Sequence, residues 1–247
     1  MSRQPPVQQP PPVQRVRLRY FKQGPARFAS QQDFARAFER ALRRAAVPMA
    51  YSSGFNPHPR ISYSNAVPTG VASLAEYLEI ALAQRIDPVS VQASLNRVLP
   101  GGFQIMAAVE SDGTALAELL THSAWRIDLG VDATAAVAAF LAADSVVVQR
   151  MGKAGLRELD IRAAVVALAA DAGALSLRAV TGPGKVVVRP GDIVAGLAVV
   201  SPAVVSPGAS LALRVAQGVW SDGRVRDPFG PEKLANDAAN AGIVANL

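Results

Sequence analysis

The chain of 247 residues lacks cysteine altogether and has only two histidines, His58 and His122. Without cysteine it cannot form a disulfide, a zinc–thiolate site, an iron–sulfur cluster or a cysteine nucleophile. Two histidines also exclude a histidine-rich metal site, so we expect no metal and no cofactor in this chain. The absence of cysteine is consistent with a reducing cytoplasm, where we expect the protein to reside.

An uninterrupted apolar run of membrane-spanning length is also lacking. Residues 193–213 carry no charge, but Pro202, Pro207 and Gly208 interrupt them. This pattern predicts two core segments joined by a loop, not a membrane span. Residues 1–14 are rich in proline and glutamine and lack the apolar core of a signal peptide. We therefore expect a soluble protein with a disordered tail over residues 1–14.

Acidic residues are scarce in the first quarter of the chain. Residues 1–60 hold 11 Lys and Arg residues but only Asp33 and Glu39 as acids, whereas residues 61–247 hold 14 basic and 17 acidic residues. A local basic field favours binding of a polyanion, because each phosphate that is neutralised releases counterions. The alternative is a solvated basic face that serves solubility.

An amphipathic helix is predicted after Ser30. Ser30 and Asp33 have the spacing of a capping box, and Pro48 ends the helical pattern. Apolar residues recur at helical spacing along one side. They are Phe34, Ala37, Phe38, Ala41, Leu42 and Ala45.

Four arginines occupy the other side of this helix. At 3.6 residues per turn they fall within about 100° of one another. Like charges four residues apart each cost a few tenths of a kcal/mol, and only Glu39 is close enough to offset them. A bound polyanion would relieve this repulsion. The four are Arg36, Arg40, Arg43 and Arg44.

The segment after the helix, residues 51–60, carries more chemistry than a connector needs. Its serines and Gly54 can surround an anion with hydroxyl and N–H groups, and Phe55 can stack on a base. His58 can transfer a proton, and Arg60 can hold a phosphate by two hydrogen bonds. The alternative is a rigid loop whose Phe55 fills the core. The candidate binding residues of the loop are Ser53, Gly54, Phe55, Asn56, His58 and Arg60.

The predicted elements follow the order β-α-β-β-α-β over residues 15–110. Residues 15–21 alternate as a strand, which residues 26–29 extend, and strands are also predicted at 61–64, 76–82 and 103–109. The order recurs more weakly over residues 123–220, with strands at 123–131, 145–149, 174–180 and 211–217 and with 156–170 left ambiguous. We therefore predict an α+β fold of two tandem ferredoxin-like (βαββαβ) units, a linker at 111–122 and a loose tail at 221–247.

Several of these segments resemble a known family. The segments on which the resemblance rests are Arg19-Tyr-Phe-Lys-Gln-Gly-Pro-Ala-Arg-Phe, Ser53-Gly-Phe-Asn-Pro-His-Pro-Arg-Ile-Ser and Pro68-Thr-Gly-Val. They look like the radical-SAM-linked family, a bacterial domain of unknown function, with coverage from about residue 15 to about 217. One departure is Gln31, which stands where the family usually has histidine. The fold is also similar, by analogy, to the RAMP-type RNA-binding proteins of CRISPR systems.

The resemblance implies a setting for the protein. Members are often fused to, or encoded beside, a radical S-adenosylmethionine (radical SAM) protein, and their genes lie near ribonuclease E/G and ribosomal protein genes. We therefore expect an accessory protein that binds RNA, such as tRNA or rRNA, and serves a radical SAM partner in trans. The binding residues would be those of the loop together with Lys22, Arg27, Arg36, Arg40, Arg43 and Arg44.

Two alternatives stay open at this stage. One is a metal-independent RNA-processing enzyme in which His58 moves a proton and Arg60 or Lys22 stabilises charge. The other is a protein-interaction scaffold that binds no nucleic acid. The absence of cysteine means that this chain cannot itself hold the cluster of a radical enzyme.

Overall fold

Two structural units divide the chain in the computed structural model, which describes residues 8–152, 155–170, 176–184, 186–202, 205 and 210–230. Unit 1 runs to Leu119 and takes in the chain again from Phe229, and unit 2 runs from Leu120 to Pro228. The described residues form a mixed α+β structure with five α-helices and mostly antiparallel strand pairing.

Unit 1 follows the order strand, helix, two strands, helix, strand. The strands are β1 (Gln14–Lys22), β2 (Ile61–Tyr63), β3 (Ala72–Leu82) and β4 (Phe103–Glu110), and the helices are α1 (Gln31–Arg44), α2 (Pro88–Asn96) and the short α3 (Leu116–Leu119). Both neighbours of β1, namely β3 and β4, run antiparallel to it, and β2 pairs antiparallel with β3. The strand order is therefore β4-β1-β3-β2.

The core of unit 1 lies between α1, α2 and this sheet. Phe34 of α1 stacks on Tyr20 of β1 at 4.4 Å between ring centroids, and it also contacts Phe38 at 5.6 Å and Phe103 at 4.9 Å. These residues join Leu18 and its neighbours in one buried apolar cluster. The predicted apolar stripe of α1 is thus its buried face, because the helix gains stability mainly by packing that face.

The sequence was wrong about residues 26–29, which it assigned to a continuation of β1. Residues Gly24–Phe28 form a 3-10 helix instead, with Pro25 in its first turn. Proline has a fixed φ near the helical value and no N–H to donate, so it suits the start of a helix and interrupts a sheet ladder.

Two arginines of β1, Arg15 and Arg17, are held in ion pairs within unit 1. Arg17 is buried and pairs with Glu79 of β3 at 3.2 Å and with Asp112 at 2.9 Å. Arg15 reaches the other oxygen of Glu79 at 3.0 Å, and the Ser111 hydroxyl donates to Glu79 at 2.8 Å. The first part of the predicted linker is therefore held against the strands of unit 1, and Arg17 is not available to bind a phosphate at the surface.

Unit 2 contains seven strands and two helices among its described residues. They are β5 (His122–Asp128), α4 (Thr134–Ala142), β6 (Val147–Gly152), β7 (Gly155–Asp160), β8 (Val165–Ala170), β9 (Ser176–Thr181), α5 (Pro190–Val200), β10 (Leu211–Ser221) and β11 (Arg224–Arg226). Strand β5 pairs antiparallel with β9 and β10, and β8 pairs antiparallel with β9. Their order is β8-β9-β5-β10, and β11 adds to β10.

Two assignments in unit 2 differ from the sequence prediction. The strand predicted at 145–149 does not enter the sheet: β6 pairs with β7 as a separate hairpin, and β8, from the ambiguous segment, takes the sheet position. Arg150 ties the hairpin to α5 by donating from Nε to Asp192 Oδ1 at 2.8 Å. Within the predicted loose tail, β11 is paired; residues 231–247 lie outside the described part of the chain.

Helices α4 and α5 pack closely against each other in unit 2. Phe140, Ile161, Ile193 and Leu197 are all fully buried. A Cβ on Gly196 would come within 2.9 Å of Phe140 and of Ile161, so the absence of a side chain lets α5 approach this closely. In the part of the chain that is described, no helix is both long and apolar enough to cross a membrane.

Replacing Phe38 by alanine tests the packing of α1. We expect Phe38→Ala to lower the free energy of unfolding by about 3–5 kcal/mol, because it removes a fully buried ring and leaves a cavity. Val89→Ala is the control, since Val89 is 61% exposed on α2 and its loss should stay within about 0.5 kcal/mol. Urea unfolding of both variants measures these changes. Equal losses of unfolding free energy in the two variants would contradict the packing described for α1.

Candidate functional site

The start of α1 is fixed by a reciprocal cap. Ser30 Oγ accepts a hydrogen bond from the Asp33 backbone N–H at 3.1 Å, and Asp33 Oδ2 accepts from the Ser30 N–H at 3.2 Å and from its hydroxyl at 2.6 Å. These bonds to the charged carboxylate lower the pKa of Asp33. The predicted capping box is confirmed, and it sets where α1 begins.

The four arginines of α1 form an exposed basic surface, which we call the arginine face (Arg36, Arg40, Arg43 and Arg44). Within the described ranges, none of the four forms an ion pair with a carboxylate. Arg43 and Arg44 lie in the last turn, where the helix dipole favours positive charge. Asp33 and Glu39 on the same helix offset only part of the repulsion among the four arginines, so an anion bound here would be stabilised.

Residues 51–60 form a short hairpin, which we call the finger. Ser52 N–H donates to the His58 carbonyl at 2.8 Å, and His58 N–H donates back to Ser52 Oγ at 3.0 Å. At the base, Arg60 N–H donates to the Ala50 carbonyl at 2.9 Å, and Arg60 Nε donates to the Tyr51 carbonyl at 3.0 Å. The candidate loop is therefore held in a defined conformation by hydrogen bonds.

The tip of the finger presents its side chains to solvent. Phe55 is 65% exposed, so it does not fill the core, as the alternative interpretation of the loop required. Gly54 has φ of 135°, a value that strains any residue with a Cβ. Ser53 Oγ accepts from the Gln9 N–H at 2.9 Å, which places the N-terminal segment beside the finger. Exposed with Phe55 are Ser53, Asn56 and His58.

Lys22 must be removed from the predicted binding residues. It is buried, with 6% of its surface exposed, and its Nζ donates to the Ala29 carbonyl at 2.7 Å. The strand alternation places Lys22 on the same face as Leu18 and Tyr20, and the long side chain extends from that face to a carbonyl just before α1. The ammonium group of Lys22 thus binds the segment just before α1 and is shielded from solvent.

Arg27 lies before the start of α1 and contacts an aromatic neighbour that the sequence analysis did not single out. Its guanidinium carbon stands 4.7 Å from the ring centroid of Phe28, and Phe28 is 60% exposed. The buried Nε of Arg27 has no acceptor among the described residues. The adjacent Arg27 and Phe28, two residues after Pro25, are the sequence signal that would have identified Phe28.

The finger follows the arginine face closely along the chain of unit 1. Only residues 45–50 connect the end of α1 to the finger, and β2, which follows the finger, lies beside the helix. Tyr63 of β2 contacts Phe34 edge-to-face at 6.2 Å, and its burial together with the nearby Glu39 raises the pKa of Tyr63. The arginines on α1 run from Arg36 to Arg44, along about 12 Å of the helix. Arg27 lies before the helix.

The site offers binding groups more than catalytic ones. His58 is exposed, and its hydrogen bonds to other described residues involve its backbone and not its imidazole. In the described parts of the chain, no three histidine or carboxylate side chains converge to hold a metal ion. His122, in unit 2, has a pKa lowered by burial, and its Nδ1 lies 2.9 Å from Thr121 Oγ1.

Unit 2 has a cleft of about 630 Å³ between the β6–β7 hairpin and α5. Its walls are mostly apolar, and Gln149 and Glu158 are the polar residues among those that line it. None of the residues predicted for the site lies in this cleft. The others that line it are Val147, Val148, Ala195, Ala198, Val199, Pro202 and Val205.

The fold and the site together define a mixed α+β protein with a basic helix face and a bonded finger on its first unit. The chain belongs to the family DUF2344, described as an uncharacterized protein conserved in bacteria, whose model matches residues 15–190. The matched range contains α1 and the finger. No curated protein matches the chain.

One solved structure that is similar is that of an unknown protein from Galdieria sulphuraria. The two chains share 14% identity, and the match covers 68% of this chain and 80% of the other, with a TM-score of 0.26. At that score the likeness supports no argument about fold or function.

The cap of α1 should give the stability of unit 1 a specific pH dependence. The pKa of Asp33 is lowered in the folded state, so its contribution is present above the unfolded pKa near 3.8 and is lost as pH falls through the folded value. The free energy of unfolding of the wild type should therefore fall between about pH 5 and pH 2. We expect it to fall less steeply over this range in Asp33→Asn and in Ser30→Ala, because each variant lacks the bonds that lower the pKa of Asp33. Urea titrations across this range measure it, and wild-type slopes in both variants would show that the cap does not act.

Proposed function

We propose that this protein binds RNA across the arginine face of α1 and the adjoining finger, as an accessory protein of a radical SAM enzyme. The single observation that carries the proposal is the basic surface itself. Four exposed arginines that form no ion pair within the described ranges stand on one helix, and the chain continues into a finger that presents an aromatic ring, hydroxyls and Arg60.

The chemistry of this surface suits RNA. Arginine binds phosphate by two parallel hydrogen bonds, and a row of such cations gains free energy by releasing counterions from a polyanion. The exposed ring of Phe55 adds a surface on which a base can stack, which a phosphate-only ligand would not use. After the correction for Lys22, the proposed residues are Arg27, Arg36, Arg40, Arg43, Arg44, Ser53, Gly54, Phe55, Asn56, His58 and Arg60.

We further propose that each unit is ferredoxin-like. In unit 1 the order β4-β1-β3-β2, with antiparallel pairing, is the order that this βαββαβ fold requires. In unit 2 the order β10-β5-β9-β8 repeats it, with the β6–β7 hairpin inserted after α4. By analogy with RAMP-type proteins, tandem units of this kind are suited to bind RNA.

The proposed partner is a radical SAM protein supplied in trans in the cytoplasm. This part of the proposal rests on the family resemblance described above and on the chain having no cysteine, so that the cluster must belong to another polypeptide. The role left to this chain is to hold RNA for that enzyme.

Removing charge from the arginine face should weaken RNA binding in a salt-dependent way. We expect Arg36→Gln with Arg40→Gln to lower the affinity for tRNA and to reduce the slope of log K against log salt by about 1.4–1.8, since each phosphate contact contributes about 0.7–0.9. Filter binding of tRNA at four salt concentrations measures both quantities.

The matched control removes the same charge elsewhere. Arg157 and Arg224 are exposed on unit 2, outside the proposed surface, so Arg157→Gln with Arg224→Gln should leave the slope close to that of the wild type. No tRNA binding by the wild type at low salt, or equal losses in the two double variants, would overturn the proposed function.

A further inference from the structure

We infer that the finger selects unpaired nucleotides, so that the RNA enters as a single strand with a base stacked on Phe55. This inference rests on the proposed function and adds the class of RNA to it. Four arguments support it: the exposure of Phe55, the hydrogen bonds that close the hairpin, the phosphate donor at the base of the finger, and the geometry of duplex RNA.

The position of Phe55 is the first feature. A phenylalanine ring is among the side chains that gain most from burial, yet this one is 65% exposed at the tip of a hairpin. Three polar residues of the same hairpin are also exposed: Ser53, Asn56 and His58. An apolar ring set among hydrogen-bonding groups matches a nucleobase, which has an apolar face and a polar edge.

The second feature is that the finger is rigid before any ligand binds. The reciprocal hydrogen bonds of Ser52 and His58 close the hairpin below its tip, and Tyr51 forms an antiparallel bridge with Pro59. Pro57 and Pro59 fix φ on the returning arm. Because the ring is held on a closed hairpin, little conformational entropy is lost when a base stacks on it.

The third feature is a phosphate donor at the base of the finger. Arg60 uses Nε to hold the Tyr51 carbonyl, and its two Nη groups have no acceptor among the described residues. The bond to Tyr51 fixes the direction of the guanidinium, which leaves its outer edge for a phosphate. A strand whose base stacks on Phe55 can continue from Arg60 toward the arginine face, because only residues 45–50 separate the finger from α1.

The fourth feature is the shape of RNA. In an A-form duplex the bases are stacked on one another, and the major groove is too deep and narrow for side chains to read. A ring at a finger tip can therefore stack on a base only where that base is unpaired or splayed out. The arginine face alone would bind phosphates of either form, so the discrimination lies in Phe55.

The test compares a 12-nucleotide single-stranded RNA with a 12-base-pair duplex of the same sequence, by fluorescence anisotropy on the full chain. We expect Phe55→Ala to weaken binding of the single strand about 5- to 100-fold and to leave binding of the duplex unchanged, from the strength of base–aromatic stacking. Phe55→Trp should retain the affinity of the wild type, and Phe55→Leu, which keeps apolar bulk but no π face, should behave like Phe55→Ala.

The outcomes separate this inference from the proposed function. Suppose that the wild type binds RNA. If Phe55→Ala then weakens binding of the single strand and of the duplex equally, or weakens binding of neither, the single-strand inference is overturned and RNA binding stands. If wild type binds neither RNA, the proposed function fails and this inference fails with it. Phe55 is exposed, so its variants are expected to fold, and unchanged thermal unfolding verifies this.

Discussion

The packing of one helix face on one sheet is the constraint on which the rest of unit 1 depends. Phe34 lies at its centre, in contact with Tyr20, Phe38 and Phe103. Since 3.6 residues make a turn, a helix that buries this stripe must turn Arg36, Arg40, Arg43 and Arg44 away from the core. The basic surface is thus a consequence of the hydrophobic packing, and the cap at Ser30 fixes its register along the sheet.

The same packing determines where the finger lies. The chain leaves α1 after Arg44 and reaches the sheet at Met49, which bridges to Leu82. Ala50 and Arg60 then hydrogen-bond with Ala81, so the finger extends from the edge of β3 beside the end of the helix. A chain with a neutral helix face would fold by the same interactions. The scaffold therefore does not need the four arginines, and RNA binding is the role that we propose for them.

The sequence predicted what local patterns determine and failed where distant residues decide. The Ser30 cap and the stripe from Phe34 to Ala45 follow from spacing within one helix, and both are confirmed.

The charge of Lys22 suggested exposure, although alternation in β1 places it on the buried face. Burial of Arg17 depends on Glu79 and Asp112, which lie far along the chain, and the exclusion of β6 from the sheet depends on pairing with β7. Periodicity contains no information about such partners. For the finger, the residue types were visible in the sequence, but its closed hairpin and exposed Phe55 required the structure.

The central claim is that α1 and the finger of unit 1 together form an RNA-binding surface. Ultraviolet crosslinking of the full chain to single-stranded RNA, followed by mass spectrometry of the crosslinked peptides, tests it most directly. The account predicts crosslinks within residues 36–44 and 51–60, with Phe55 among the modified positions. Crosslinks confined to unit 2, or an absence of crosslinks under conditions where a known single-strand-binding protein gives them, would contradict it.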